Sequence, residues 1–236
     1  MTVHPPQPHR GTPRSVPSRT PAIPTIVLID GSALFLTVRS MPDNRPLDYR
    51  AFVDLLVEQI PGLQQPAAPT SDSRWVMWTA ASPQNEGQNR FLDFAESQLR
   101  WEVRRVGPVD SFLIEPAQLG LAADNRPAVS RLVRFDASIA FAIGRLADTH
   151  RVVVVSDSYA LADPLHRAAT VTGSEPLRQP HLAFFGRALD SRWQRLLLKG
   201  GPVVPVFIDL DDHEARLFGF ASSTEASTST LEGLVF

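Results

Sequence analysis

The chain has 236 residues, 43% of them hydrophobic and 20% charged, with a net charge of −2 at neutral pH and no cysteine. That length suits one α/β domain with tails, and the apolar share can fill a sizeable core. Lack of cysteine excludes disulfide staples, thiolate metal sites and a cysteine nucleophile together, while the net charge does not announce a nucleic-acid binder, although a local basic rim around an acidic floor would not show in it.

Residues 1–24 hold seven prolines with Ser, Thr and Arg, a composition that cannot bury a core and reads as a disordered or extended tail. Arg10, Arg14 and Arg19 give it positive charge without any acid, so it can touch RNA weakly or simply be solvated. It contains no apolar signal-peptide core, and no stretch of the chain approaches the ~20 apolar residues of a membrane span. A cytoplasmic protein without membrane contact is expected.

Residues 25–30 (TIVLID) form the first strand expected. Asp48 to Ile60 places apolar residues at 49, 52, 53, 56, 57 and 60, an amphipathic helix with Asp48 as N-cap. Pro61-Gly62 stops it, and a Pro/Gln/Ser-rich loop leads to a second strand over 74–79. A helix is expected over 89–100, with Phe91, Phe94, Ala95 and Leu99 on one face. Short strands at 103–106 and 111–114 precede a loop over 116–127. The spacing of Phe135, Ile139, Ile143 and Leu146 predicts a helix over 135–147. A central strand follows at 151–156, then a helix at 161–169, a strand at 181–185, a helix at 188–198 and a last strand at 203–210. Beyond Asp212 the chain turns Ser/Thr-rich, and its apolar end either docks in a groove or frays.

Strands alternating with helices predict a three-layer α/β/α sandwich with a mainly parallel sheet. The organisation expected is a tail over 1–24, a domain over 25–212 and an extension over 213–236.

Four acids can converge where strands end. Asp30 follows the first strand and precedes Gly31, which is expected to let the backbone turn sharply. Asp136 opens the helix at 135–147. Asp157 follows the central strand inside Ser156-Asp157-Ser158, and Asp163 lies six residues on. In open α/β sheets, ligands bind outside the carboxyl ends of the strands. Clustered carboxylates repel and need a cation to stay ionised. Oxygen-only ligands favour Mg²⁺ or Mn²⁺ over zinc or copper, and such a site suits phosphodiester hydrolysis. Ser32 and Ser158 can position a ligand water or the substrate, and Arg39, Arg134 and Arg187 can meet an RNA backbone.

Each of these residues also has a purely structural use. Asp30 can make a turn, while Asp136, Asp157 and Ser158 can cap helices. Asp163 can be a solvated helix residue, and Asp209, Asp211 and Asp212 read as a solvated terminus. The histidines at 4, 9, 150, 166, 181 and 213 have neither zinc-site spacing nor a place in a Ser-His-Asp triad. No GxxxxGK[ST] or GxGxxG phosphate loop occurs. Of the 23 basic residues, Lys199 alone is lysine.

The run IVLIDGSALF resembles the opening strand of the NYN domain family, a PIN-like ribonuclease fold of the LabA-like kind. WVMWTA with FLDFAESQLRWEVRRV is similar to that family's second strand, helix and next strand. RFDASIAFAIGRLA resembles its K-G-V-D segment and helix, VVVVSDSYALADPLHRA its SGDSDFxPL strand and helix, and HLAFFGRALDSRWQRLL with VFIDLDD its closing elements. The resemblance spans residues 25–212. It implies a Mg²⁺- or Mn²⁺-dependent endoribonuclease leaving 5′-phosphate and 3′-hydroxyl ends, with Asp30, Asp136 and Asp157 as metal-binding acids; the family's further acid is either lost at Tyr159 or displaced to Asp163, which would then be a fourth ligand. Ala33 replaces the family's usual Asn, Arg134-Phe135 replace Lys-Gly, and SDSYALAD replaces the compact GDSD. A second expectation follows from those departures: a degenerate PIN-like module that binds RNA or a regulatory protein partner without cleaving. A phosphatase of the haloacid dehalogenase type would need a second acid two positions after Asp30, where this chain has Ser32.

Overall fold

The computed structural model describes residues 24–41, 45–66, 72–80, 85–106, 135–172, 178–200 and 204–219. Arg134, the expected strand at 111–114, the loop at 116–127, residues 1–23 and residues 220–236 lie outside them.

The apolar runs become strands as their composition requires. β1 (Thr25–Asp30) is buried along its whole length, and so is β4 (Arg151–Val155); only a strand covered on both faces can afford such continuous hydrophobicity. With β2 (Ser73–Ala80), β3 (Glu102–Val106), β5 (His181–Phe184) and β6 (Val206–Asp209) they form one six-stranded sheet in the order β3-β2-β1-β4-β5-β6. Every pairing is parallel. Val27 lies between Trp75 of β2 and Val153 of β4. Helices flank the sheet, so the three-layer α/β/α sandwich expected from the sequence is the fold.

Helix ends follow their caps. α2 (Tyr49–Gln59) starts where Asp48 accepts the N–H groups of Arg50 and Ala51 at 2.9 and 3.0 Å. α3 (Glu86–Ser97) begins three residues earlier than the apolar spacing predicts, because Asn85 accepts the N–H of Gln88 at 3.0 Å. α4 (Asp136–Leu146) and α5 (Ala162–Thr172) fall on the expected segments. A 3₁₀ turn at Tyr159–Leu161 leads into α5. In place of one helix over 188–198 there is a 3₁₀ turn at Gly186–Ala188 and then α6 (Ser191–Lys199), restarted by the cap at Asp190.

Periodicity alone assigns no helix between β1 and Asp48, yet α1 (Gly31–Arg39) fills that segment, capped by Asp30. Gly31 is required for space, not for backbone freedom. Its φ is not positive, but a Cβ there would lie 2.9 Å from the Trp78 carbonyl oxygen and 3.0 Å from the Met77 side chain.

The folded core runs past residue 212. α7 (Glu214–Phe218) buries Leu217 and Phe218, and the Asp48 N–H donates to the Leu217 carbonyl at 2.8 Å. Arg45 donates to the Gly219 carbonyl and places its guanidinium 5.7 Å from the Phe218 ring centre.

At the edge where the strands start, Arg151 is buried. It donates to the Pro61 carbonyl at 2.7 Å and to Thr25 Oγ1 at 3.0 Å, tying the end of α2 to the sheet. Burial lowers the pKa of its guanidinium. His181 is buried nearby, and its pKa is pushed down to about 4 by desolvation and then by the Arg151 charge, against a backbone hydrogen bond at Gln179. No helix among the described residues is long and apolar enough to cross a membrane.

Candidate functional site

A parallel sheet leaves a crevice where the direction of strand succession reverses, and ligands bind there, outside the carboxyl ends. In the order β3-β2-β1-β4-β5-β6 that point lies between β1 and β4. Asp30 is the last residue of β1, and Ser156-Asp157-Ser158 follow β4 directly. Two of the expected acids therefore stand on neighbouring strand ends at the switch point.

The third arrives by helix length. α4 ends shortly before β4 begins, so it must run back antiparallel to that strand. Its 11 residues rise about 16 Å at 1.5 Å each, matching the length of a five-residue strand at about 3.3 Å per residue. The first turn of α4, with Asp136, accordingly lies at the edge where the strands end, and the helix packs on β1, β4 and the 159–161 turn. Asp136 is the first helical residue. The N-cap position belongs to Phe135, which offers no side-chain hydrogen bond, so the capping role expected for Asp136 is not realised. Asp136 is half-buried, with Oδ1 out of contact with water.

Asp30 is 2% exposed, and its Oδ1 accepts the Ala33 N–H at 3.0 Å. Its structural use is as the N-cap of α1, in place of the turn expected. Ala33 itself is buried, and Ser32 is half-buried on the first turn of α1.

The loop after β4 alternates. Ser156 and Ser158 point inward: Ser156 Oγ accepts the Ser158 N–H at 3.2 Å, and Ser158 Oγ accepts the Ala160 N–H at 3.3 Å. The indole of Trp193 on α6 donates to the Ser158 carbonyl at 2.9 Å. Asp157, between them, remains partly exposed. Ser158 thus holds the loop in shape and is buried, which does not suit the substrate contact expected of it.

The remaining expected residues do not gather. Asp163 is exposed on the first turn of α5, where an acid favours the helix dipole. Arg39 is exposed at the last position of α1, eight residues beyond Gly31, hence about 12 Å along the helix; its guanidinium lies over the Phe35 ring at 5.6 Å. Arg187 is engaged with acids: Nε meets Asp211 at 2.7 Å, and a terminal nitrogen meets Glu214 at 2.5 Å. Those two partners, Glu214 foremost, raise its pKa. Its charge is already answered, so it is a poor phosphate ligand.

Asp209 and Asp211 are not a solvated terminus. Asp209 Oδ1 accepts the N–H groups of Gly186 and Asp211, both at 2.9 Å. Asp211 Oδ2 accepts the Arg187 N–H at 2.9 Å. Gly186 has room for this only because it lacks a Cβ, which would fall 2.3 Å from Asp209 Oδ2. Asp212 alone of the three is exposed.

The donor chemistry suits a hard divalent cation, since Asp30, Asp136 and Asp157 offer only oxygen. Their closeness is less complete: among the described residues, no three His, Cys, Asp or Glu side chains form a group that could hold a metal ion. The acids share the strand-end edge of the sheet without closing a cage.

Fold and strand ends together define a wholly parallel α/β sandwich with acidic residues at its switch point. No protein-family model matches the chain, and neither does any curated protein. A crystal structure of a protein of unknown function from Vibrio parahaemolyticus is similar, with a TM-score of 0.52 at 14% identity, covering 82% of this chain and 97% of that one. That likeness concerns the fold alone.

Proposed function

We propose that the protein is a Mg²⁺- or Mn²⁺-dependent ribonuclease working at the carboxyl ends of β1 and β4. The observation that carries this reading is the placement of Asp30 and Asp157 on adjacent strand ends at the switch point, with the first turn of α4 bringing Asp136 to the same edge. The three carboxylates would hold the cation. A bound divalent ion would polarise a phosphoryl oxygen and lower the pKa of a water. Asp30 contributes a carboxylate fixed by its own helix cap, and Asp136 and Asp157 are both more accessible to substrate than Asp30. Ser32 lies one residue from Asp30 and is open enough to orient a water.

The test is cleavage of a labelled RNA with Mn²⁺, with and without EDTA. Asp30→Asn and Asp157→Asn are each expected to lose at least about 100-fold in rate, the scale for removing a group that stabilises transition-state charge. Asn caps helices as well as Asp does, so the Asp30 variant keeps its fold.

A second reading, a module that binds RNA or a protein without cleaving it, draws on the open arrangement of the acids and on the buried Ala33 in the place of a polar side chain. Equal inertness of wild type and both variants, with RNA binding retained, would favour it.

A further inference from the structure

The surface of α6 carries charge that the strand-end site does not use. Arg192, Arg195, Leu196 and Lys199 recur at the three- and four-residue spacing that aligns side chains on one helix face. With Tyr159 they line a groove of about 220 Å³. Arg192 is committed to Asp190 through two hydrogen bonds at 3.0 and 2.7 Å, and its guanidinium sits 4.6 Å over the Tyr159 ring. Arg195 and Lys199 are exposed, and neither makes an ion pair among the described residues. The groove is thus a patch of three cations against one acid in a chain whose net charge is −2.

Its position relative to Asp157 is fixed. Tyr159 follows the Ser156-Asp157-Ser158 loop by one residue, and its ring meets the Trp193 indole edge-on at 5.6 Å. Trp193 is fully buried and bonded to the Ser158 carbonyl. Loop and helix are therefore tied to one another, and the basic face adjoins the loop that leaves β4.

We propose that this groove binds the phosphate backbone of single-stranded RNA running away from the strand-end site, with Arg195 and Lys199 as the phosphate-binding cations and Tyr159 and Leu196 as the apolar floor. The proposal rests on the ribonuclease reading for the identity of its polymer. A flexible single strand can bring successive phosphates to Arg195 and Lys199 while a base rests against Tyr159. Backbone contacts of this kind carry affinity rather than sequence preference.

Fluorescence anisotropy with a labelled oligouridylate, in EDTA so that no cleavage intervenes, tests the groove on the full chain. The double variant Arg195→Ala/Lys199→Ala should bind at least about 10-fold more weakly. Its plot of log affinity against log salt should be shallower by about 1.4, two phosphates at about 0.7 each for a single strand. Arg195→Lys/Lys199→Arg should bind like wild type. Unchanged affinity and slope in the alanine variant would overturn the proposal. So would a wild type that binds no RNA, or polyglutamate displacing the RNA at equal charge concentration, which would mark the face as one for acidic protein. A Mn²⁺ cleavage assay separates the two readings. Wild type that cleaves while the alanine variant binds normally sinks the groove alone. Wild type that binds through the groove and never cleaves sinks the nuclease alone.

Discussion

Single residues here carry stability in ways their type does not announce. His181 is held neutral, its pKa at about 4 against about 6.5 unfolded. Between those values the unfolded chain binds the extra proton, so this contribution is complete above about pH 6.5 and is lost as the pH falls towards 4. The full loss is on the order of 3 kcal/mol. Urea denaturation at pH 7.0 and pH 4.5 should show it, and a His181→Leu variant should lose that part of the pH slope. Gly31→Ala pushes a methyl group against the Trp78 carbonyl and the Met77 side chain; overpacking of this kind costs about 1–3 kcal/mol, readable as a lower urea midpoint with an unchanged slope. Asp209→Ala leaves the Gly186 and Asp211 N–H groups without their acceptor and should cost about 1–3 kcal/mol in the same assay. Sequence exposed some of these residues and hid others. Asp30 was legible because a β-branched run ends in Asp-Gly. In Ser-Asp-Ser, spacing could not say which of the three faces inward; only the alternation of the folded loop does. The role of Asp209 depends on a glycine on another strand connection, which no local pattern reveals.

Elements were legible where an apolar period and a cap coincided, as in α2, whose start at Asp48 matches the cap. Asp48→Ala should cost about 1 kcal/mol, measured by thermal melting. α1 escaped because Ala33, Leu34, Phe35 and Leu36 run together with no gap that marks a face, and its cap, Asp30, already closes a strand. α6 was placed too early because Leu189 and Ala188 extend its apolar pattern through a 3₁₀ turn that Asp190 interrupts. The tie between α6 and the β4 loop joins residues 35 apart in sequence and is a tertiary fact from end to end. Trp193→Phe keeps the ring in the core but removes the N–H that reaches Ser158. The loop should then exchange its amide hydrogens faster while the strands keep theirs.

At the scale of the whole molecule, alternation of strand and helix was enough to give the parallel sandwich, since each strand must return to the same edge before the next begins. Folded structure extends beyond residue 212 because Leu217 and Phe218, just ahead of the Ser/Thr-rich run, are buried. Ending the chain at 212 would strip both side chains from the core, at about 1.5–3 kcal/mol each, and expose the face of α2 they cover. Against a typical stability of 5–15 kcal/mol, a fall of many degrees in melting temperature is expected. The two rims of the sheet also divide the labour. Arg151 and Thr25 anchor the rim where strands enter; Asp30 and Asp157 stand on the rim where they leave, with about 16 Å of continuous apolar strand between. Groups that far apart with no shared neighbour respond to substitution independently. The foundation of this protein can therefore be hardened or softened by design while its acidic mouth keeps whatever chemistry it has.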